Sequence, residues 1–90
     1  MSKNITDEIL LESGFFRNKF RFLSNIYFFY RTGRILIKMI PPIIGRIPYK
    51  LEVAYDGILL FSTCVKFIDQ FNTLMNLMDI DLVLKEGGTE

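Results

Sequence analysis

The chain has 90 residues, enough for one domain and too few for a second core, and half of them are hydrophobic, at the high end for a soluble domain. It contains no histidine, which excludes a Ser-His-Asp triad, a Cys-His pair and the common zinc and iron sites. The net charge of +1 conceals a segregation: Ser13 to Leu51 carries eight basic residues and no acidic one (+8), while three basic and ten acidic residues elsewhere give −7.

Chain order begins with a short helix. Thr6 is placed to cap its amides, and Asp7 and Glu8 sit where the positive end of the helix dipole favours acids. Ile9 and Leu10 give it an inward face, Gly14 supplies a left-handed residue after its end, and Phe15 can fold back on the last turn. At about two turns the helix depends on tertiary packing.

From Lys19 to Phe61 the pattern is that of strands. Phe20, Phe22 and Ile26 to Tyr30 are β-formers, and Thr32-Gly33 marks a tight hairpin into Ile35 to Ile40. Pro41-Pro42 ends that strand, because proline cannot donate to a ladder. After Ile43-Ile44-Gly45-Arg46 the alternation is cleanest, with Tyr49, Leu51, Val53 and Tyr55 on one face and Lys50, Glu52 and Ala54 on the other. Asp56-Gly57 then signals a second hairpin, into a strand over Ile58 to Phe61.

A long helix is predicted from about Thr63 to Met78. Ser62 or Thr63 would cap it, and Cys64, Phe67, Ile68, Phe71, Leu74, Met75 and Met78 recur on one side at helical spacing. Asp79 to Leu84 reads as a short extended piece. The expected architecture is α+β: a short N-terminal helix, about four mostly antiparallel strands, and one long C-terminal helix packed on the sheet. Residues 1–90 form a single domain in this reading, folded over 5–84, with 85–90 as a flexible tail.

The single cysteine has no partner within the chain, which points to a reducing cytoplasm. Lys3 is followed by Asp7, Glu8 and Glu12 where a signal peptide would be apolar, and no uncharged run approaches the roughly 20 residues that cross a bilayer. The expectation is a soluble cytoplasmic protein with no membrane contact. A chain this short buries only roughly 60 to 65% of its unfolded surface. Its surplus of apolar residues therefore suggests a homodimer or a hydrophobic partner.

Residues for catalysis are few. Cys64, on the apolar side of the predicted helix, reads as a small buried hydrophobe rather than a nucleophile. Asp79 and Asp81 with Glu86 have oxygen donors for magnesium or calcium, yet their spacing matches no calcium loop, and solvated charges at a helix end explain them more simply. Glu52 and Asp56 lack the supporting lysine and second acidic cluster of a nuclease centre. The glycines stand singly at turns and form no phosphate-cradling loop. The expectation is no enzyme, no metal and no cofactor.

The basic stretch is the remaining functional signal, since nine of the thirteen aromatics share it. Cations interleaved with aromatic rings suit a surface that meets nucleic acid or an acidic protein, although a solvated face would also carry cations. Adjacent residues of a strand point to opposite faces, so some of these rings belong to the core, and tyrosines tolerate partial exposure best. The candidate partner or RNA-binding set is Arg17, Lys19, Arg21, Tyr27, Tyr30, Arg31, Arg34, Lys38, Arg46, Tyr49 and Lys50. An alternative acidic face, mimicking nucleic acid toward a basic channel, would use Asp69, Asp79, Asp81 and Glu86.

Two segments resemble small proteins carried by bacterial prophages and other mobile elements. Thr6-Asp7-Glu8-Ile9-Leu10-Leu11-Glu12-Ser13-Gly14-Phe15 resembles their opening helix and Gly-Phe turn. Val65-Lys66-Phe67-Ile68-Asp69-Gln70-Phe71-Asn72-Thr73-Leu74 is similar to a final helix that typically reads Val-Lys-Tyr-Val-His-Gln-Leu-Gln-Asn-Leu. Asp69 stands where that pattern has histidine, so no role of that histidine carries over. Such phage and mobile-element proteins include anti-CRISPR inhibitors, and the resemblance implies a non-enzymatic protein that binds an RNA-guided CRISPR effector nuclease, one that targets RNA included, and blocks its activity. Two other readings are an autonomous RNA- or single-stranded DNA-binding module, and a structural homodimer or assembly subunit.

Overall fold

In the structure, a computed structural model that describes residues 3–19, 26–42 and 48–85, the chain is α+β. Its elements run α1 (Asp7–Glu12), β1 (Phe16–Lys19), β2 (Ile26–Thr32), β3 (Ile35–Ile40), β4 (Tyr49–Tyr55), β5 (Ile58–Val65) and α2 (Ile68–Leu77). The five strands form one antiparallel sheet in the order β1-β2-β3-β4-β5, each beside its neighbour in sequence. No helix among the described residues is long and apolar enough to cross a membrane.

Local chemistry explains the turns. The Ile9 amide donates to Thr6 Oγ1 at 3.2 Å, which satisfies one orphan donor of α1. At the other end Gly14 takes φ +106°, the Phe15 amide bonds back to the Leu10 carbonyl and the Gly14 amide to that of Leu11, a Schellman closure that turns Phe15 into the core. Gly33 alone is left-handed in the two-residue β2–β3 loop, whereas Asp56 and Gly57 are both left-handed between β4 and β5, the requirement of a type I′ turn.

Residues directly opposite each other on neighbouring strands share a face. One side of the sheet presents Phe28, Ile37, Met39, Tyr49, Leu51, Val53 and Val65, all buried, and meets Ile5, Ile9 and Leu10 from the N-terminal segment and Ile68, Phe71 and Met75 from α2. Beyond α2, Ile80, Leu82 and Leu84 are buried while Asp81, Val83 and Lys85 are exposed, so the tail is laid edge-on against the same core. Asn72 holds it there: the Leu84 amide donates to Asn72 Oδ1 at 2.8 Å, and the Lys85 amide reaches Ser13 Oγ at 2.8 Å. Both helices and residues 80–84 cover one face of the sheet, and none of the described elements covers the other.

Four expectations change. The sheet has five strands rather than about four, because Phe16–Lys19 pairs with β2 before the segment where the first strand was expected; Phe20 and Phe22 lie outside the described residues. Strand β5 runs on to Val65, so Ser62 and Thr63 are ladder residues and not helix caps. Helix α2 consequently starts at Ile68, and Gln70 supplies its cap by accepting from the Phe67 and Lys66 amides at 3.0 and 2.8 Å. Cys64 moves with the strand: it is exposed beside Lys50 and is not the buried helix residue expected. The physical reason is that Thr63 and Val65 are β-branched and that the seven residues of β4 need a partner of matching length. The stretch Ile43 to Arg46 and, from Glu86 onward, the expected tail lie outside the described residues.

Candidate functional site

The uncovered face is built from rows that cross the sheet. The register places Phe16 opposite Phe29, Phe29 opposite Lys38, Lys38 opposite Glu52 and Glu52 opposite Ser62, a line through all five strands. On one side of it lie Asn18 and Tyr27, with Lys50 and Cys64 across the sheet, and on the other Arg31, Leu36, Ala54 and Leu59. The row is aromatic at the β1–β2 end, charged in the middle and small at β5.

The rings at the β1–β2 end touch in sequence. Phe16 and Phe29 have centroids 5.7 Å apart, and Phe29 and Tyr27 6.3 Å apart, all tilted rather than stacked. Lys38 Nζ stands 4.9 Å from the Tyr27 ring centroid, a cation–π distance, and Asn18 Nδ2 donates to the Tyr27 hydroxyl at 2.6 Å. Phe16 is 65% exposed, which is unusual for a phenylalanine and leaves its ring accessible. Arg31 on the same face and Arg34 in the adjoining turn are both exposed. Glu52 is the one acid among the described residues of the face, and Lys50 Nζ lies 3.4 Å from its carboxylate. That partly exposed ion pair contributes under about 1 kcal/mol to stability.

The sequence-derived candidates separate. Tyr27, Arg31, Lys38 and Lys50 share the uncovered face, and Arg34 flanks it. Arg17, opposite Phe28, belongs to the covered side at the sheet edge, and Lys19 ends β1 opposite Ile26. Tyr30, opposite Ile37, is turned inward, its ring 5.6 Å from that of Phe15. Tyr49 is 4% exposed and donates its hydroxyl hydrogen to Asp7 Oδ1, so it belongs to the core and not to a contact surface. Burial, together with this hydrogen bond and the Asp7 charge, drives its pKa well above the ordinary phenol value. Arg21 and Arg46 lie outside the described residues.

The acidic alternative also divides. Asp79 and Asp81 line a cleft of about 270 Å³ with Asn72 and Asn76 at the C-terminal end of α2, whereas Asp69 sits in its first turn. Glu86 lies outside the described residues. Among the described residues no group of three or more histidine, cysteine, aspartate or glutamate side chains converges as metal ligands would.

Phe16 and Phe29 are the residues that sequence reasoning left out. Phe29 sits between two aromatic neighbours in the chain, Phe28 and Tyr30, and only the register shows that both of these turn inward and Phe29 outward. No family model matches the chain, nor does any curated protein or solved structure.

Proposed function

We propose that this protein is a non-enzymatic binding module whose uncovered sheet face takes a single strand of RNA, presented by a ribonucleoprotein. The observation that carries this reading is the chain of rings Phe16, Phe29 and Tyr27 flanked by Lys38 and Arg31. Every base has a π-face, so aromatic side chains spaced along an open sheet bind bases without reading sequence, and nearby cations meet the phosphates. Lys50, held by Glu52, adds a cation farther along the face.

An RNA-guided CRISPR effector is the narrower form of the proposal, with the rings and cations contacting guide RNA and thereby blocking the effector. The likeness of Thr6–Phe15 and Val65–Leu74 to mobile-element proteins supports this form. Within those segments the residues do structural work: Thr6 caps, Gly14 turns and Phe71 packs. A pull-down from the host cytoplasm, with and without ribonuclease, tests the proposal. Recovery of a ribonucleoprotein that is released by ribonuclease supports it, and recovery of metabolic enzymes without RNA overturns it.

A further inference from the structure

We infer that the uncovered face reads one base of its strand, that the base is guanine, and that Glu52 reads it; the inference rests on the proposed RNA-binding role. Beside the ring cluster, Leu36, Lys38, Glu52, Ala54, Gly57 and Leu59 line a depression of about 220 Å³. The register explains its form. Leu36, Ala54 and Leu59 lie opposite one another on β3, β4 and β5, so a single methyl group stands between two leucines and makes a low floor. The adjoining row, which continues into Phe29, supplies Lys38 and Glu52 as a polar wall. At the other end Gly57 adds no side chain, and β5 is bent by the bulge at Leu60, which the ladder leaves without a β4 partner. The space is smaller than the roughly 300–1,000 Å³ of pockets for drug-sized ligands and is on the scale of one heterocycle.

The chemistry of the wall selects the occupant. Glu52 is the one acid among the described residues of a face that otherwise attracts phosphates, and a carboxylate repels them. Its side chain is 23% exposed against 54% for Lys50, so the carboxylate is set into the wall and its cation lies outward. Each carboxylate oxygen has two lone pairs, and the Lys50 contact at 3.4 Å leaves capacity for another donor. A cationic ligand is disfavoured by Lys38 and Lys50 on either side. What fits is a flat, neutral ring that lies between the leucines and offers hydrogens to a group that only accepts them. On their Watson–Crick edges adenine and cytosine set one amino group beside a bare ring nitrogen, and uracil sets one N–H between two carbonyls. Guanine alone sets N1–H and the 2-amino group side by side, the pattern that two carboxylate oxygens receive in parallel. Lys38 borders both sites, since its Nζ stands 4.9 Å from the Tyr27 ring centroid while the residue lines the depression. Two strand spacings, about 10 Å, separate Phe29 on β2 from β4, so a strand with one base on the rings reaches the depression with a later one. The rings bind without reading sequence, and the depression adds the reading at one position.

Short fluorescent uridine strands with one central variable base, titrated at about 50 mM salt, test this. The guanosine strand should bind about tenfold tighter than the all-uridine, adenosine or cytidine strand, within the range for one bidentate base contact. Inosine, which keeps N1–H and lacks the 2-amino group, should give up most of that advantage. Glu52→Gln should bring the ratio close to one. So should Ala54→Leu, which fills the floor without altering a charge, and both variants should keep the wild-type circular dichroism spectrum. Guanosine monophosphate alone should compete weakly; competition as strong as that of the strand would overturn the strand as the source of the base. Equal binding of the guanosine and uridine strands by the wild type overturns the inference and leaves the RNA-binding role standing, whereas binding of neither strand overturns both. A guanosine advantage that survives inosine, or that survives both substitutions, overturns the assignment to Glu52 and its depression.

Discussion

The Tyr49 hydroxyl donates to the Asp7 carboxylate across 42 positions of sequence, joining the first turn of α1 to the start of β4. Tyr49 begins the strand at the covered side of the sheet, and Asp7 projects from a helix only six residues long. A helix of that length does not hold itself, so this bond and the burial of Ile9 and Leu10 fix its place. Tyr49→Phe leaves the ring and removes the donor. A loss of about 1.5–3 kcal/mol is expected, the range for a hydrogen bond to a charged group, read by chemical denaturation at neutral pH.

The same pair sets an alkaline limit. The folded pKa of Tyr49 lies above its unfolded value of about 10, so the proton is held more tightly in the native state. Its contribution is complete below about pH 10 and is lost as pH rises from there toward the folded pKa. The stability advantage of wild type over Tyr49→Phe should stay constant from about pH 7 to 9 and shrink above about 10. An advantage that grows with alkaline pH would show the sign to be wrong.

Backbone conformation predicts two opposite results. A β-carbon at Gly14 would stand 3.2 Å from Tyr30 Cε2, at a φ of +106° that side chains rarely adopt. Gly14→Ala should therefore destabilise by about 1 kcal/mol or more. Asp79 occupies the equivalent position after α2, at φ +60°, with the Ile80 amide bonded to the Met75 carbonyl. Its β-carbon costs about 1 kcal/mol there, and its charge sits at the negative end of the helix. Asp79→Gly should raise the melting temperature.

Phe71 is fully buried beneath the sheet, its ring 6.1 Å from that of Phe15. Phe71→Ala should cost about 3–5 kcal/mol through the cavity it leaves, measured by the same denaturation. Phe15 shares that cavity wall, so a Phe15→Ala, Phe71→Ala double variant should lose less than the sum of the single losses.

At the hairpin between β2 and β3, Arg31→Glu with Arg34→Glu reverses two exposed cations and touches no core residue. Partner binding should fall sharply while the unfolding free energy stays within about 0.5 kcal/mol of wild type. Unchanged binding would move the contact surface off the hairpin.

How legible this was in the chain depended on whether the signal was local. Thr6, Gly14, Thr32-Gly33, Asp56-Gly57 and the alternation from Tyr49 to Tyr55 each carry their structural reason within a few residues, and each stands in the fold as read. The stretch Ser62 to Val65 did not, because Cys64, Phe67, Ile68 and Phe71 fit a helical stripe as well as a strand followed by a helix. Only the length of β4 decides between the two. The binding face was half legible. Composition marks the region, but which ring of Tyr27-Phe28-Phe29-Tyr30 faces outward depends on pairing with β1 and β3, and Tyr49 is drawn inward by a carboxylate far away in sequence.

The central claim is that the rings of the uncovered face bind an RNA strand, and titration of a fluorescent single-stranded oligonucleotide at several salt concentrations tests it most directly. Binding is expected at about 50 mM salt, weakening with a log–log slope of about −0.7 per phosphate contact. Phe29→Ala should lose about 1–3 kcal/mol of that affinity, the range for one stacked base. No binding at about 50 mM salt, or affinity unchanged in a Tyr27→Ala, Phe29→Ala double variant that still folds, would contradict the claim.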